Sequence, residues 1–550
     1  MRFLLVALLL LVCVNTGVLG GLGQKIKNTF TGEGSIGAKI KNLVVKGFLK
    51  IKHKLGDEIK KALTLPPKAW ASLKERLSKW RKINQTRVKE TGDSINQINE
   101  FNNVSDSLYQ GDIELTEGQL EQVKQDMEQF VKNPRIKRQA YRDRAYPKTI
   151  WSNGVTYYFE GANMKIRSVF KKGVQQWEKD TCISFKEDPL AKDKISVVQG
   201  TGCSSFVGLI GGTQRLSLGR GCESVGTAHE IGHALGLFHA MSRHDRDQFL
   251  TINSMNIKAN WMDQFVKEPP TRNENYNITF DFGSVMNYGA SSASFNDKPT
   301  MVPVDVMYQE TLGSPFVSFY DLLMLNTHYS CFDKCKGNAK AAKCEMGGVP
   351  HPRDCSKCLC PRGYGGNLCN ERPSGCGEVL KATKEYTDLS KTMGKPDMDE
   401  QEDFEICWYW IESPPNTQIE VRIDAINGDL AVDGCTYHGV EIESQKDQMA
   451  TGYRFCAYED YDVTVLSHSN RVPVMIYSRI GQTNITIQYH YVTDGKPGPK
   501  PTIATKRPVS LSPDFRCADK NTSAMLGPDI CSALKEDVQI NMCPKMCGIC

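Results

Sequence analysis

The sequence predicts a multidomain protein in which a helical leading segment precedes one mixed α and β domain and a series of small disulfide-rich modules. At 550 residues the chain is too long for a single hydrophobic core. Apolar residues follow a helical period among lysines near the start, and mixed strand and helix patterns begin after residue 139. Most of the 20 cysteines lie at short spacings behind residue 330. Several domains are therefore expected, at least one with a conventional buried interior.

Residues 1–20 have the pattern of a secretory signal peptide. Arg2 supplies a positive start, and a short apolar run follows from Phe3 to Val14. Val18 and Gly20 offer small or modest side chains near a cleavage point. A membrane anchor is the alternative, but no other stretch approaches the roughly 18 apolar residues that span a bilayer. The sequence thus predicts a secreted, extracellular protein without stable membrane insertion.

Cysteine content and glycosylation acceptor sequences agree with that compartment. A reducing cytosol would leave small cysteine-rich modules without their disulfides. Acceptor sequences for N-glycosylation occur at Asn84, Asn103, Asn277, Asn484 and Asn521. The 68 Lys and Arg residues nearly balance 63 Asp and Glu residues, which leaves a net charge of +5. This balance does not indicate a nucleic acid as partner.

The leading segment, residues 21–138, contains no cysteine and has an amphipathic helix pattern near its start. Among many lysines, apolar residues recur at three- and four-residue steps at Ile40, Leu43, Phe48, Ile51, Leu55 and Ile59. Pro66 and Pro67 end the pattern. Such a helix is either a solvated part of a disposable segment or an element that binds a membrane surface or a glycosaminoglycan.

A basic cleavage sequence closes the leading segment. Arg135-Ile136-Lys137-Arg138 carries basic side chains that suit the acidic pocket of a furin-like convertase. A cysteine-containing globular pattern begins directly after it. We therefore interpret residues 21–138 as a propeptide that is removed by cleavage after Arg138, so that the mature chain starts at Gln139.

The remaining chain divides by composition. Residues 139–331 form the mixed domain, with strand patterns near 155–159 and 195–198 and a helix pattern near 164–177. Behind it lie a cysteine cluster at 332–370, a β-rich region at 376–493, a proline-rich linker at 494–516 and a cysteine-rich tail at 517–550.

The strongest motif runs from His229 to His239, with the sequence HEIGHALGLFH. On a helix, His229 and His233 face the same side, where two imidazoles can bind one zinc ion. Gly236 can adopt the positive φ that ends the helix, and the chain then returns His239 as a third ligand. Glu230 occupies the next position around the helix and can reach a water molecule at the open position of the metal. The motif predicts one zinc ion in this domain.

The same residues predict a reaction. Zinc lowers the pKa of a bound water to about 7. Glu230, as general base, would remove a proton from this water while it attacks a carbonyl carbon, and would then pass the proton to the departing amine. The expected reaction is hydrolysis of peptide bonds without a covalent intermediate.

A second motif, Ser284-Val285-Met286-Asn287-Tyr288, completes a resemblance to the astacin family of metzincins, together with Ser242 to Asp247. The resemblance implies an α+β catalytic domain of two subdomains around a zinc cleft. It also implies that Met286 lies in a tight turn beneath the metal. Tyr288 would be a mobile fifth ligand that leaves zinc to stabilise the oxyanion.

The resemblance extends beyond these motifs. Residues 212–222 are similar to the strand region before the family's zinc helix, and residues 202–206 resemble the cleft-edge strand that pairs with the substrate backbone. In the leading segment, Tyr109 to Asp112 is similar to the family's propeptide motif. That similarity implies that Asp112 binds zinc in place of the catalytic water until the propeptide is removed.

Two positions depart from the family pattern. The family usually has a glutamate directly after the third histidine, which receives the new amino terminus after activation, but Ala240 stands here. The terminus lock is therefore expected to be altered or absent. Many members have histidine before the switch tyrosine, where this chain has Asn287. Little effect on the chemistry is expected from that change.

The modules behind the catalytic domain resemble, in order, an EGF-like module (332–370), a CUB sandwich (376–493) and a ShKT module (517–550), as in secreted nematode astacins. These resemblances imply nine disulfides: Cys182–Cys331, Cys203–Cys222, Cys335–Cys355, Cys344–Cys358, Cys360–Cys369, Cys376–Cys407, Cys435–Cys456, Cys517–Cys550 and Cys531–Cys547.

The sequence as a whole predicts a secreted zinc metalloendopeptidase that acts on extracellular proteins and is made as a zymogen. Its modules would position the enzyme on macromolecular substrates. The alternative is a binding or channel-blocking protein, with the tail as effector and a vestigial protease domain. The intact set of His229, Glu230, His233, His239 and Tyr288 argues against this alternative.

Overall fold

The structure is a computed structural model that describes residues 36–132, 140–141, 146–222, 226–269, 272–428 and 430–493. The predicted signal peptide, the basic cleavage sequence, Gln139, the linker and the cysteine-rich tail lie outside these residues. Within them, no helix combines the length and apolar character needed to cross a bilayer.

In its described part, residues 36–132, the leading segment contributes four helices: α1 (Ile36–Ala62), α2 (Pro67–Ser78), α3 (Ile95–Phe101) and α4 (Glu117–Lys132). The predicted amphipathic pattern corresponds to α1, which ends before Pro66. Its side chains Phe48, Leu55 and Ile59 are buried, whereas Ile40 and Leu43 remain exposed. The buried face joins residues of α4 and of the following domain in one apolar cluster. The segment is therefore packed onto the protein instead of being solvated.

The upper half of the mixed domain is a six-stranded sheet in the order β1-β6-β7-β5-β3-β4. Its strands are β1 (Ile113–Glu114), β3 (Val155–Glu160), β4 (Phe185–Glu187), β5 (Lys194–Val198), β6 (Cys203–Phe206) and β7 (Thr213–Leu218). The short strand β2 (Ala140–Tyr141) pairs elsewhere, with β9 (Asn273–Glu274). Strand β1 belongs to the leading segment and pairs in parallel with β6, with Ile113 opposite Ser205. The leading segment thus extends the sheet of the domain that follows it.

Two helices pack beneath this sheet. Helix α5 (Met164–Glu178) begins at Asn163, whose side chain accepts a hydrogen bond from the backbone N–H of Ile166 at 2.9 Å. Helix α6 (Thr227–Ala234) is buried along its whole length. The two helices approach closely at Gly173, where an added Cβ would lie 2.7 Å from Thr227 Cγ2. This contact explains the glycine within α5.

The lower half of the domain has little regular structure. It contains the two-stranded pair of β8 (Leu250–Ile252) and β10 (Met301–Pro303) and the helix α7 (Phe319–His328). A capping box of Ser318 and Asp321 starts α7. Asp321 also accepts hydrogen bonds from the Ser284 hydroxyl at 2.6 Å and from the backbone N–H of Val285 at 2.9 Å. The start of α7 therefore fixes the turn that contains Met286.

Behind the mixed domain, a small module with the strands β11 (Val349–Pro350) and β12 (Cys358–Leu359) is followed by a sandwich of two sheets. One sheet has the order β13-β15-β20-β17-β18, and the other has the order β14-β21-β16-β19. The strands are β13 (Val379–Lys381), β14 (Thr387–Gly394), β15 (Glu405–Glu412), β16 (Gln418–Asn427), β17 (His438–Ile442), β18 (Tyr453–Phe455), β19 (Thr464–Leu466), β20 (Arg471–Ser478) and β21 (Gln482–Val492). Side chains from both sheets form one apolar core.

The described residues contain seven disulfides. They are Cys182–Cys331, Cys203–Cys222, Cys335–Cys355, Cys344–Cys358, Cys360–Cys369, Cys376–Cys407 and Cys435–Cys456. The structure thus brings together seven of the nine expected pairs, and the other two lie in the tail outside the described residues. The acceptor asparagines Asn84, Asn103, Asn277 and Asn484 are all exposed, and Asn521 lies in the tail.

Candidate metal centre

Three histidines converge at the end of α6. His229 and His233 lie one turn apart on this helix, and Gly236, with φ of 105°, turns the chain so that His239 returns to them. The Nε2 atom of His229 lies 3.0 Å from Nε2 of His233 and 3.0 Å from Nε2 of His239. The indole N–H groups of Trp177 and Trp151 donate to backbone carbonyls of α6, each at 2.9 Å, and hold the helix in place.

The other nitrogen of each ring fixes its orientation. Nδ1 of His229 lies 2.7 Å from the carbonyl of Val285, and Nδ1 of His233 lies 2.7 Å from the carbonyl of Leu237. Nδ1 of His239 lies 2.9 Å from Oε1 of Gln110. Because these oxygens accept, each Nδ1 carries the proton and each Nε2 presents a lone pair. Burial lowers the pKa of His239 to about 4, which favours the neutral ring.

Asp112 lies against the same three nitrogens. Its Oδ2 is 3.1 Å from Nε2 of His239 and 3.2 Å from Nε2 of His229, and its Oδ1 is 3.4 Å from Nε2 of His233. The side chain is fully buried. Burial opposes its ionisation, but His239 and His233 outweigh this effect and hold the pKa of Asp112 well below its usual range.

This arrangement fits a zinc ion. A carboxylate and three neutral imidazoles direct only lone pairs at one another, which is unfavourable in a buried site unless a cation lies between them. The four ligand atoms lie within 4.8 Å of one another. A tetrahedral zinc with Zn–N distances of about 2.0–2.1 Å would place its ligand atoms about 3.3 Å apart, close to the separations observed.

Glu230 lies on α6 between the first two histidines and is fully buried. Neither of its carboxylate oxygens has a hydrogen-bond partner within the described residues. Burial raises the pKa of the Glu230 carboxyl well above its ordinary value, and the charges of Asp112 and Glu114 add to this shift. A carboxyl group whose proton affinity is raised in this way is suited to accept and return a proton.

Tyr288 contacts the carboxylate of Asp112. Its hydroxyl donates a hydrogen bond to Oδ2 of Asp112 at 2.8 Å, and it lies 2.9 Å from the backbone carbonyl of Gln110. Its ring centroid lies 4.4 Å from that of His239. Met286 is buried below α6, and its carbonyl accepts the backbone N–H of Ala240 at 2.8 Å. The structure thus brings Met286 and Tyr288 to the three histidines.

The turn that contains Asp112 is held by hydrogen bonds to the lower half of the domain. Glu268 accepts hydrogen bonds from the Tyr109 hydroxyl at 2.6 Å and from the Gln110 side chain at 2.7 Å. Arg272 binds the other oxygen of Glu268 at 2.5 Å and lies 3.1 Å from Asp126 on α4. No local sequence pattern marks Glu268, so the sequence does not predict its role. Gln110 lies within the motif of Tyr109 to Asp112, but its contact with His239 depends on the fold.

The cleft-edge strand β6 is covered by the leading segment. Besides its pairing with β1, the carboxamide of Asn99 in α3 binds both the backbone N–H and the carbonyl of Cys203, at 2.7 and 2.8 Å. The polar edge at which an extended substrate could pair is therefore occupied.

The two departures from the family pattern lie close to this centre. Ala240 is buried in an apolar cluster and offers no side-chain acceptor for an amine. Strand β2 starts at Ala140, one residue after Gln139, which is the expected new amino terminus. The N–H of Tyr141 in this strand donates to the carbonyl of Gly236 at 3.1 Å. Asn287 is buried, and its side-chain amide donates to the carbonyl of Phe282 at 3.3 Å.

Comparisons of the sequence with known families and proteins agree with this centre. Residues 143–330 match the model of the peptidase family described as Astacin. The chain is 44% identical to "Zinc metalloproteinase nas-31" of Caenorhabditis elegans over 74% of this chain and 67% of that protein. It is 34% identical to "Zinc metalloproteinase nas-32" of the same organism, over 72% of this chain and 60% of that protein.

A solved structure, the hatching enzyme zinc-protease HCE-1 of the medaka fish Oryzias latipes, matches with a TM-score of 0.33 at 29% identity, covering 34% of this chain and 98% of that chain.

The buried three-histidine site, the family match and the identity to named zinc metalloproteinases lead to the same assignment. The chain belongs to the astacin family of peptidases and is a zinc metalloendopeptidase.

Proposed function

We propose that this chain is the latent precursor of a secreted endopeptidase, in which the leading segment is a propeptide that blocks the zinc site. The observation that carries this proposal is the position of Asp112, whose oxygens lie 3.1–3.4 Å from all three histidine Nε2 atoms. Asp112 would complete the ligand set with His229, His233 and His239, so that no position remains for the attacking water.

When zinc is bound and Asp112 has left, the metal supplies Lewis acidity and lowers the pKa of a bound water to about 7. The carboxylate of Glu230 then accepts the proton of the attacking water and returns it to the departing amine. The hydroxyl of Tyr288, released from Asp112, becomes available to donate a hydrogen bond to the oxyanion. Strand β6 offers its backbone to an extended substrate.

Activation requires the removal of several contacts at once. Asp112, β1 and the Asn99 carboxamide all belong to residues 21–138, so a cut after Arg138 would separate them from the protease domain. We assign this cut to a furin-like convertase on the basis of Arg135 to Arg138, which lie outside the described residues. Gln139 would then be the new amino terminus, and Ala240 cannot anchor it through a carboxylate.

Residues 332–370, 376–493 and 517–550 are proposed as EGF-like, CUB and ShKT modules, joined by a linker at 494–516. The three disulfides of the first module and the two-sheet sandwich with Cys376–Cys407 and Cys435–Cys456 support the first two assignments. Secretion is supported by the pattern of residues 1–20, and glycosylation by the exposed acceptor asparagines. The substrates would be extracellular proteins or peptides.

A chelation assay tests the function directly. The chain, cleaved after Arg138, should hydrolyse casein or gelatin, and a zinc chelator should abolish that activity because the three histidines then hold no metal. Adding zinc back should restore it. A cleaved chain that binds one zinc ion and hydrolyses no peptide bond would favour the alternative of a binding protein with a vestigial protease domain.

The cysteine count gives a further prediction. Removal of Cys13 with the signal peptide leaves 19 of the 20 cysteines, and nine pairs use 18, so one is left over. The tail has five cysteines where ShKT modules have six, and Ala524 stands near the missing position. We predict that Cys543 is unpaired within the chain, available for a mixed disulfide or a dimer, and dispensable for proteolysis. Non-reducing peptide mapping should find it outside every intrachain bridge, and a bridge from Cys543 to any cysteine named above would contradict the assignment.

A further inference from the structure

Residues 80–93 of the leading segment, here called the bridging segment, lie at the junction of the protease domain and the sandwich. The N–H of Thr86 donates to the carbonyl of Ala431 at 2.7 Å, and the Tyr437 hydroxyl donates to Asp93 at 2.6 Å. The N–H of Asn84 donates to the side chain of Glu459 at 3.2 Å. None of these contacts involves the zinc site. The bridging segment is therefore held by a surface separate from the catalytic centre.

The principal side-chain contact of this segment is made by Arg81. Its Nε donates to Oδ1 of Asp460 in the sandwich at 2.8 Å, and its Nη2 donates to Oε2 of Glu310 in the protease domain at 2.8 Å. Its guanidinium carbon lies 5.1 Å from the ring centroid of Phe455. The exposed fraction of the Arg81 side chain is 13%, against 5% for Glu310 and 0% for Asp460. One guanidinium thus joins buried carboxylates of two domains.

The backbone of Arg81 is also bound. The Gln309 side chain accepts the N–H of Arg81 at 2.9 Å and donates to its carbonyl at 2.8 Å. A carboxamide that pairs with both backbone groups of one residue recognises extended chain irrespective of side chain. We call Gln309, Glu310, Phe455 and Asp460 the arginine seat, since they bind both the backbone and the side chain of this residue.

The two carboxylates of the arginine seat are also held by contacts within the fold. Oδ2 of Asp460 accepts the backbone N–H groups of Cys456 and Ala457 at 3.1 and 3.0 Å, and Oε1 of Glu310 lies 3.3 Å from the N–H of Cys456. Each carboxylate therefore uses one oxygen within the fold and presents its second oxygen to Arg81. Departure of the bridging segment would leave these second oxygens without their cation.

We propose that, once the propeptide is released, the arginine seat is a binding site for an arginine-bearing extended segment of a protein substrate. The proposal rests on the release of the leading segment, which is part of the proposed function. Arginine is favoured over lysine because two N–H groups of one planar guanidinium reach two carboxylates while its face lies near an aromatic ring. The site would hold such a substrate on the surface between the protease domain and the sandwich, apart from the bond that is cleaved.

A binding experiment tests this site without using catalysis. The full chain carrying Glu230→Gln is cleaved after Arg138 and freed of its propeptide. It is then titrated into a fluorescent peptide with the sequence of residues 79–90, and anisotropy is measured. This peptide lacks Asp112, so it cannot reproduce the contact of the leading segment with the three histidines. We expect saturable one-to-one binding, weakened about tenfold or more by Arg81→Ala in the peptide because a charge-assisted contact to two buried carboxylates is lost.

Arg87→Ala in the same peptide is the matched control. Among the described residues, the Arg87 side chain donates to the carbonyls of Lys89 and Glu90, which belong to the bridging segment itself. This control should change the affinity less than twofold. The peptide that carries Arg81→Lys should bind more weakly than the parent peptide.

On the protein side, Gln309→Ala should weaken peptide binding, while the thermal unfolding midpoint of the protein stays close to that of the parent protein. Absence of binding, or equal losses for Arg81→Ala and Arg87→Ala, would overturn the proposal. Because no peptide is hydrolysed, the result stands apart from any failure of the proposed catalysis.

Discussion

Replacing Glu230 by Gln is expected to lower kcat by about a hundred- to ten-thousand-fold in the cleaved enzyme. Glutamine keeps the size of the side chain but cannot act as the general base. Once Asp112 has left with the leading segment, no other Asp or Glu of the described residues belongs to the three-histidine cluster. Zinc should remain bound, because the substitution removes none of the three histidines, and His229 and His233 keep their hydrogen bonds to the carbonyls of Val285 and Leu237. The measurement is kcat on a quenched fluorescent peptide together with the zinc content.

Glu187→Gln serves as the control for this substitution. Glu187 lies exposed on β4, so the same chemical change there should leave kcat unchanged. A Glu230→Gln enzyme that retains zinc and cleaves peptides at the wild-type rate would show that this carboxylate is not the general base.

Changing Asp112 to Ala in the uncut chain is expected to give measurable activity where the wild-type precursor is silent. The carboxylate that lies against all three histidines is then absent, and the position becomes open to water. The activity should stay below that of the cleaved enzyme, because β1 still pairs with β6 and Asn99 still binds Cys203. Initial rates of uncut precursors on a short peptide measure the effect.

Asp106→Ala is the matched variant, since Asp106 is an exposed carboxylate of the same segment that bonds to Lys52 and Asn260. It should leave the precursor silent. Arg138→Ala should keep an otherwise wild-type chain uncut and inactive in the presence of a convertase. Equal silence of the Asp112→Ala and Asp106→Ala precursors would refute the role of Asp112 in latency.

The spacing of the histidine motif was sufficient to predict the metal site because its geometry is local. Helical periodicity places His229 and His233 on one face, and Gly236 has the positive φ that the return of His239 requires. Tyr288 and Asp112 followed from resemblance alone, since nothing in their own neighbourhood indicates that they meet 2.8 Å apart across 176 residues of chain.

The parts that the sequence did not predict depend on contacts between distant segments. The sequence pattern predicts the apolar face of α1. It does not predict that this face packs on the lower half of the protease domain. Glu268 and Gln309 do not belong to any recognisable local motif. Their roles depend on hydrogen bonds to residues of the leading segment, which are distant in sequence. The pairing of β1 with β6 joins strands of two and four residues, which are too short for a periodic signal.

The proposed latency means that a zinc-loaded protease is held inactive by its own leading segment. The direct measurement is proteolytic activity and zinc content of the full chain before and after cleavage following Arg138. The account predicts one zinc ion per chain in both forms and activity only in the cleaved form. Full activity in the uncut chain, or a cleaved chain that holds zinc and hydrolyses nothing, would contradict it.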